Sequence, residues 1–170
     1  KICSNEEQKE FYDYNHQQGY VVNSITYGLV YNNEIVSMMS FSTNRSNYDF
    51  ELVRYATKLD SNVIGGASKL LKAFSKDYPN KKIVSYADRC WSTGKLYETI
   101  GFKLVRVSPP TYFYVDSNTL IREHRSKFRK ENLRKLGYDI VGKTEREIVD
   151  NETNYLRIYN CGYLVYEFCT

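Results

Sequence analysis

Apolar and polar residues recur along the chain with the periods that separate helices from strands. Phe11 and Tyr14 have helical spacing behind Ser4, which predicts a capped helix that ends near Gly19. The stretch SKLLKAFSKDY carries an apolar stripe beside its lysines and predicts a second helix, which Pro79 stops. A third, short helix is predicted in STGKLYETI, and a glycine closes it.

The other apolar segments have the composition of strands. TYGLVY and EIVSMMSF flank Asn32 and Asn33, which tolerate positive φ, and this arrangement predicts a β-hairpin. The polar residues 42–49 that follow predict a loop. Further strands are predicted in KKIVSYADR, FKLVRV and PPTYFYV, and in the tail LRIYNCGYLVYEF, whose turn falls at residues 160–162.

The strand predicted in FELVRYATKL carries charges as well as apolar residues. Strict alternation gives it two faces, one with Leu52, Arg54 and Ala56 and the other with Glu51, Val53 and Tyr55. Each face of this strand therefore presents one charged side chain.

Strands and helices alternate in the order β-α-β-α-β through the middle of the chain. This order is typical of an α/β sheet with helices packed on it. The composition shifts at residues 116–118, so we expect a core domain over residues 1–117. Residues 118–170 are then an extension that packs on the core and consists of a basic helix and a strand-rich β-hairpin.

Composition excludes several classes of protein. The chain has 170 residues, 42% of them hydrophobic and 26% charged, as in soluble globular proteins, and no apolar run approaches the ~20 residues that cross a bilayer. The four cysteines form no CxxC pair and only two histidines accompany them, so no metal site is expected. Unpaired thiols fit a reducing cytoplasm. The start at Lys1 leaves open whether the chain is part of a longer protein.

The segment IREHRSKFRKENLRKLG concentrates positive charge that the modest net charge of +4 conceals. On a helix, Lys127, Lys130 and Arg134 share one face, opposite Ile121 and Phe128. This basic ridge either contacts nucleic acid or is only a solvated face. The nearby tyrosines either line a groove for unstacked bases or pack the extension together; they are Tyr155, Tyr159, Tyr163 and Tyr166.

The stretch NVIGGASKLL places two glycines and an alanine between a predicted strand and a predicted helix. A helix N-terminus with small residues lets backbone N–H groups meet an anion. The same stretch equally serves as a tight turn that brings the helix close to the sheet. Position alone does not decide between a phosphate site and a turn.

Asn62, Gly65 and Ala67 have the spacing of the acyl-CoA loop of the GNAT acyltransferase superfamily, which this part of the chain resembles. GKLYETIGF, about thirty residues on, resembles the family's next motif. The resemblance implies a GNAT-like mixed central sheet with flanking helices and acetyl-CoA or another acyl-CoA as cofactor. The implied cofactor-binding residues are Asn62, Val63, Gly65, Gly66, Ala67 and Ser68. Asn62 departs from the family's Gln or Arg, which puts cofactor affinity in question more than the fold.

A second resemblance rests on NHQQG, ELVRYATKL, VIGGASKLL, SYADRCWSTGKLYETIGF and PPTYFYV in that order. These segments are similar to a bacteriophage domain sometimes attached to homing-endonuclease-like nucleases and, more distantly, to phage GNAT-fold enzymes that modify adenine in DNA. The resemblance implies a DNA partner, a covalently linked nuclease domain outside this chain and a location in the host cytoplasm. No membrane partner is expected, because no apolar run is long enough to cross a bilayer.

Acyl transfer to an amine requires a base and an acid. Glu51 is the candidate base, since family members often place a glutamate there, and Tyr97 matches the family's tyrosine near the thioester sulfur. Asp88 and His16 are further catalytic candidates. Each has a structural alternative: a salt bridge for Glu51, packing for Tyr97, an ion pair at a turn for Asp88 and a helix cap for His16.

Three functions remain open from the sequence. The first is an acyl-CoA-dependent N-acyltransferase with a nucleic-acid base as acceptor, and its rival is a catalytically inactive DNA-binding module of a homing-endonuclease-type nuclease. A GNAT enzyme acting on a protein or a small amine is the third. The candidate nucleic-acid-binding residues are Arg54, Arg89, Trp91, Arg122, Arg125, Lys127, Lys130 and Arg134.

Overall fold

The structure is a computed structural model that describes residues 1–43 and 47–170. Its elements in chain order are α1 (Asn5–Asn15), β1 (Ile25–Tyr31), β2 (Glu34–Ser42), β3 (Phe50–Thr57), α2 (Gly66–Asp77), β4 (Lys82–Asp88), α3 (Lys95–Thr99), β5 (Lys103–Val107), β6 (Tyr112–Asp116), β7 (Arg122–Glu123), a 3-10 helix (Arg125–Phe128), α4 (Lys130–Lys135), α5 (Glu145–Glu152), β8 (Tyr155–Tyr159) and β9 (Tyr163–Cys169). In the described part of the chain, no helix is both long and apolar enough to cross a membrane.

The chain divides into two compact units. The first comprises Lys1–Ala87, Trp91–Val107 and Leu164–Thr170, and the second comprises Asp88–Cys90 and Ser108–Tyr163. Most of the second unit is thus inserted in the sequence between β5 and β9. This division differs from the expected one at residues 117 and 118, because the chain returns to the first unit for its last strand.

A six-stranded mixed sheet forms the centre of the first unit, in the order β1-β2-β3-β4-β9-β5. Its first three strands are antiparallel, β3 and β4 are parallel, and β5 and β9 are antiparallel. Phe74 of α2 packs between Phe41 and Phe50 in the larger core, while Phe11 and Tyr12 of α1 belong to a second cluster. The predicted mixed sheet with flanking helices is confirmed.

Local signals near the start of the chain predict the observed elements closely. Ser4 and Glu7 form a capping box, in which the Glu7 N–H donates to Ser4 Oγ at 3.3 Å and the Ser4 N–H donates to Glu7 Oε2 at 2.9 Å. Asn32 and Asn33 adopt φ of 48° and 63°, which confirms the hairpin turn between β1 and β2. The loop predicted over residues 42–49 includes residues 44–46, which lie outside the described residues, and its first residue ends β2.

Helix α1 ends four residues before the predicted end at Gly19. His16 is its C-cap and adopts an extended backbone conformation, with φ of −124° and ψ of 128°. The Gly19 N–H donates to the His16 carbonyl at 2.8 Å and closes a turn, where Gly19 has a φ of 61°. The glycine therefore ends the turn that follows the helix rather than the helix itself.

A β-bulge in β3 breaks the predicted alternation of its side chains. Ser40 pairs with Arg54 while the next residue, Phe41, pairs with Leu52, so Val53 is an extra residue. Leu52 and Tyr55 consequently both pack on the α2 side of the sheet, whereas Ala56 belongs to the α1 cluster. The prediction that Leu52 and Ala56 share a face is wrong, because alternation assumed an uninterrupted strand.

The second unit has its own sheet, in the order β7-β6-β8, and its own core. That core consists of Tyr114, Phe128, Leu133, Ile148 and Val149. Helix α5, which was not predicted from the sequence, supplies two of these residues. It begins with a capping box in which the Glu147 N–H donates to Thr144 Oγ1 at 3.2 Å.

The basic segment is not the single helix that was predicted. It forms β7, the 3-10 helix and α4, because Arg129 between the two helices has the extended φ and ψ of −62° and 147°. Phe128 is buried in the core of the second unit, but Ile121 is 58% exposed and does not dock the segment.

The predicted C-terminal hairpin is also not formed. β8 pairs with β6 and β9 pairs with β5, so the turn at residues 160–162 joins strands of different sheets. Asn160 Oδ1 accepts hydrogen bonds from the N–H groups of Thr111 and Gly162, at 2.8 Å and 3.1 Å. These hydrogen bonds hold residues 160–162 as a connection between β8 and β9, not as the turn of a two-stranded hairpin.

We predict that Gly94→Ala destabilises the first unit through a clash. Gly94 has a φ of 81°, and a Cβ there would lie 2.0 Å from the buried Tyr166 hydroxyl. Strain and overpacking together should cost roughly 2–5 kcal/mol of unfolding free energy. Gly65→Ala is the matched control, because Gly65 has a φ of 70° and nothing within 4 Å of its added Cβ. Denaturant unfolding measures the unfolding free energy of both variants, and equal losses in the two would contradict the clash.

Candidate functional site

The parallel strands β3 and β4 separate soon after they pair. They are in register only at Phe50 with Ile83 and at Glu51 with Val84, although β3 continues to Thr57 and β4 to Asp88. Beyond this point the two strands no longer form a parallel ladder, which leaves a gap in the strand pairing at the middle of the sheet of the first unit.

Ser85 lies where the strands part. Its buried Oγ donates to the Leu52 carbonyl at 2.8 Å. This hydrogen bond satisfies an acceptor of β3 that lies beyond the paired residues of β3 and β4. The Ser85 hydroxyl also interacts with Tyr97, a proximity that was not predicted from the sequence.

Tyr97, the candidate acid, is half-buried beside this gap. Its ring stacks on Tyr166 at a centroid distance of 5.0 Å and meets the edge of Phe102 at 5.7 Å. Burial raises the pKa of Tyr97, and the Ser85 hydroxyl and the charge of Arg54 offset this rise in part. The phenol therefore keeps its proton at neutral pH, as a proton donor requires.

The bulge in β3 brings the charges of Glu51 and Arg54 into electrostatic contact. Glu51, the candidate base, is only 9% exposed. Burial lowers the pKa of Arg54, and the Glu51 carboxylate, which also contributes to the raised pKa of Tyr97, opposes this shift in part. Arg54 Nε donates to the Gly19 carbonyl at 3.2 Å, and its Nη1 donates to the Val53 carbonyl at 3.0 Å. Glu51, Arg54 and Tyr97 thus form one electrostatic cluster.

His16 and Tyr12 extend this cluster to α1. Burial, aided by the charge of Arg54, lowers the pKa of His16 to about 4, so its imidazole is neutral at neutral pH. His16 Nδ1 accepts a hydrogen bond from the Gln18 N–H at 3.1 Å, which leaves Nε2 to carry the proton. His16 is the C-cap of α1, which agrees with the alternative of a helix cap. The effect of the Arg54 charge on its pKa indicates that His16 also lies near the catalytic candidates.

Tyr12 begins a chain of buried hydrogen bonds. Its hydroxyl bonds to Ser40 Oγ at 2.7 Å, Ser40 Oγ bonds to Thr26 Oγ1 at 2.6 Å, and Thr26 Oγ1 donates to Asn23 Oδ1 at 2.9 Å. Asn23 Nδ2 donates in turn to Gln8 Oε1 at 2.8 Å. This network was not predicted, since its members are far apart in the chain, and it fixes α1 against the sheet beside Arg54.

The glycine loop leaves the start of α2 open. Gly65 is the N-cap, in the left-handed region, and no side chain caps the helix. A Cβ at Gly65 would meet nothing within 4 Å, whereas one at Gly66 would lie 2.9 Å from Val63 Cγ1 and 3.3 Å from the Tyr55 hydroxyl. Gly66 thus serves close packing, and Gly65 leaves its backbone accessible. Of the other loop candidates, Asn62 and Ser68 are exposed and Ala67 is buried.

Asp88 and Arg89, two further candidates, make local contacts within the second unit. Asp88 Oδ1 accepts from the Cys90 N–H at 2.9 Å, and Arg89 Nη1 donates to the Cys161 carbonyl at 3.0 Å. The Asp88 contact holds a turn, but through a backbone N–H rather than the ion pair of the structural alternative. The catalytic role of Asp88 stays a prediction. Trp91 belongs to the first unit and is 68% exposed.

The basic candidates of the second unit differ in their surroundings. Lys127 is paired with Glu123 at 2.6 Å, and the Arg122 guanidinium lies 4.6 Å from the centroid of the Phe113 ring. Lys130 and Arg134 are exposed, one helical turn apart on α4. The tyrosines proposed beside them do not form one groove, because Tyr166 is fully buried in the first unit while the others lie in the second.

Comparison with known proteins gives matches in structure alone. No protein-family model matches the chain, and no curated protein matches it in sequence. An acetyltransferase from Bacillus subtilis in complex with CoA is similar over 100% of this chain and 98% of its own, with a TM-score of 0.55 and 12% identity.

Two further structures are more distant. A putative streptothricin acetyltransferase from Bacillus anthracis in complex with acetyl-CoA has a TM-score of 0.47 and 12% identity over 88% of this chain, which spans only 64% of that protein. A GNAT-family acetyltransferase from Elizabethkingia anophelis with acetyl-CoA bound has a TM-score of 0.48 and 15% identity, over 98% of this chain and 84% of its own. From the similarity to the Bacillus subtilis structure, the chain has the mixed α/β fold of that acetyltransferase.

Proposed function

We propose that this chain transfers an acyl group from acyl-CoA to an amine. The observation that carries the proposal is the separation of β3 and β4 directly after Glu51, in the same unit as the open loop at Gly65. A proton acceptor, a proton donor and an accessible helix N-terminus all occur in this unit. The CoA-bound acetyltransferase of similar fold supports the choice of cofactor.

The loop fits the anionic part of CoA. The Gly66 N–H is engaged, since it donates to the Val63 carbonyl at 3.0 Å. With no capping side chain on α2 and open space beside Gly65, the N–H groups of Gly65, Ala67 and Ser68 can meet phosphate oxygens, and the helix dipole favours the negative charge. Asn62 is exposed beside them and can add a short polar contact. When bound, acyl-CoA supplies the acyl group as an activated thioester.

Side chains of the protein then accept and donate protons. The Glu51 carboxylate would take the proton of the acceptor amine as the nitrogen bonds to the acyl carbon. Tyr97 would donate its hydroxyl proton to the CoA thiolate that leaves when the C–S bond breaks. The Arg54 charge partly offsets the rise of the Tyr97 pKa, which supports a role in stabilising negative charge on the phenol. Neutral His16 lies on the α1 side of Arg54, where it can contact the acceptor.

We predict that acetyl-CoA stabilises the ligand-free protein. At about 100 times its dissociation constant it should add about 2.7 kcal/mol to the unfolding free energy. Gly65→Asp should abolish this gain, because a carboxylate would oppose the phosphates, whereas the isosteric and neutral Gly65→Asn should keep part of it. Thermal unfolding with and without the cofactor measures both. No stabilisation of the unmodified protein at millimolar acetyl-CoA would leave the loop as a turn only.

We predict that Glu51→Gln and Tyr97→Phe each lower the turnover number by roughly 10²–10⁴-fold if proton transfer limits the rate. The matched controls are Glu10→Gln and Tyr14→Phe, which change exposed residues of α1 and should leave turnover unchanged. Circular dichroism separates loss of chemistry from loss of fold. Full activity in both folded variants would refute the assignment.

A second candidate function is nucleic-acid binding, either to present a base as the acceptor or as the sole function of an inactive module. It is supported by the exposed Lys130 and Arg134, which make no ion pair with any residue in the ranges 1–43 and 47–170. Lys127 contributes less, since Glu123 neutralises it. The two functions separate cleanly in experiment, because the inactive module would bind DNA but neither bind nor use acyl-CoA.

We predict salt-dependent DNA binding that depends on α4. Removal of one phosphate-binding side chain should flatten the slope of log binding constant against log salt by about 0.9 on duplex and about 0.7 on single strands. Lys130→Gln combined with Arg134→Gln should therefore flatten it by up to about 1.8 on duplex. Arg146→Gln, on α5 and paired with Asp150 at 3.5 Å, is the control. Identical slopes in all three proteins would show that α4 is only solvated.

A further inference from the structure

The second unit contains a cavity that the acyl-transfer proposal does not use. Its volume is about 510 Å³, within the range of about 300–1,000 Å³ that small-molecule sites occupy. Aromatic and basic side chains form much of its wall, including Tyr112, Phe113, Tyr163, His124, Arg125 and Arg129. It is too large for an inorganic anion alone.

The two arginines of the wall are available for a ligand. Several other basic residues of the unit are already paired: Lys127 with Glu123, Lys143 with Glu152 and Arg157 with Asp150. By contrast, Arg125 and Arg129 form no ion pair with any of the described residues of the chain. Two guanidinium groups without a carboxylate partner are suited to bind phosphate through charge-assisted hydrogen bonds.

The wall also contains one acidic residue, which the two arginines outnumber. Glu145 Oε1 accepts a hydrogen bond from the Lys130 backbone N–H at 3.1 Å, which holds its carboxylate at the start of α4. His124 Nδ1 is likewise engaged, since it accepts from the Ser126 N–H at 3.2 Å. The arginines are therefore the side chains of the wall best placed to meet a negative charge.

An aromatic ring stands beside these cations. The Arg125 guanidinium lies 5.9 Å from the centroid of the half-buried Tyr112 ring. Tyr112 is held by Tyr114 and Tyr159, at centroid distances of 5.4 Å and 5.7 Å. A fixed tyrosine next to guanidinium groups suits a ligand that combines a planar ring with a phosphate, because aromatic side chains stack on bases.

We propose that this cavity binds a nucleotide, whose phosphate contacts Arg125 and Arg129 and whose base packs on Tyr112. The proposal rests on the second unit alone and does not require that the acceptor of acyl transfer be a nucleic acid. The ligand can be a free nucleotide or the phosphorylated end of a nucleic acid, which share this chemistry.

Calorimetric titration of the full chain tests the site with 5′-mononucleotides, the matching nucleosides and inorganic phosphate. We expect at least one mononucleotide to bind at least tenfold more tightly than either its nucleoside or phosphate, since only the nucleotide uses both parts of the wall. Equal affinity for phosphate alone would overturn the role of Tyr112. Absence of nucleotide binding at 10 mM, on the order of the weakest small-ligand affinities, would overturn the site.

Charge variants localise the binding. Arg125→Gln and Arg129→Gln should each weaken nucleotide binding by roughly tenfold, the effect of losing one charge-assisted hydrogen bond. Arg146→Gln removes the same charge from outside the wall and should leave affinity unchanged. An equal loss in all three variants would show non-specific attraction and overturn the site. Both arginines are exposed, so their replacement should not unfold the unit.

Oligonucleotides with and without a 5′-phosphate identify the source of the ligand. A phosphorylated end that binds more tightly than the free nucleotide indicates nucleic acid, and the reverse indicates the free nucleotide; both results support the site. The α4 double variant, Lys130→Gln with Arg134→Gln, should retain mononucleotide binding, so failure of the α4 prediction and failure of this site are distinguishable. Loss of mononucleotide binding in that variant would contradict the assignment to Arg125 and Arg129.

Discussion

The single extra residue in β3 is the constraint on which the candidate site depends. Without the bulge at Val53, Glu51 and Arg54 would lie on opposite faces of a regular strand. With it, their charges interact, and Tyr55 points to the α2 side, where its hydroxyl lies near Gly66 at the start of the loop. One irregularity thus connects the candidate base, a half-buried cation and the loop proposed to bind the cofactor.

Tyr97 owes its position to packing rather than to hydrogen bonds alone. Its ring lies on Tyr166 of β9, which is fully buried, and Gly94 leaves the space that the Tyr166 hydroxyl occupies. The Tyr166 hydroxyl donates to Glu98 Oε1 at 3.2 Å and thereby ties β9 to the helix that carries Tyr97. A well-packed ring holds its hydroxyl in one place, which proton transfer requires. The last strand in the sequence therefore supports a site formed by much earlier residues.

Elements whose signals lie in neighbouring residues could be predicted from the sequence. Elements that depend on tertiary contacts could not. The cap at Ser4, the asparagine turn and the apolar stripe of α2 are encoded by neighbouring residues, and the structure contains all three. The bulge at Val53 depends on pairing with β2, and the break at Arg129 depends on burial of Phe128, so neither is visible in a periodicity. The start of α5 carries a readable capping signal, Thr144 followed by Glu147, from which the helix could have been predicted. In the candidate site, Glu51 and Tyr97 rest on the family resemblance. Arg125 was a nucleic-acid-binding candidate on a predicted helix that does not form, and Arg129 in the same segment was not a candidate.

The second unit can differ in function from the first because its two ends meet. Val107 pairs with Leu164 at the end of the β5–β9 ladder, and within the second unit the Ser108 N–H donates to the Tyr163 carbonyl at 2.8 Å. The Tyr163 N–H donates back to Ser108 Oγ at 2.8 Å. An insertion whose ends are hydrogen-bonded neighbours replaces a hairpin loop without altering the strands that it joins, and loop-closure cost grows only slowly with its length. Since the unit also has a core of its own, it can acquire a ligand site while β5 and β9 continue to serve the sheet that positions Tyr97.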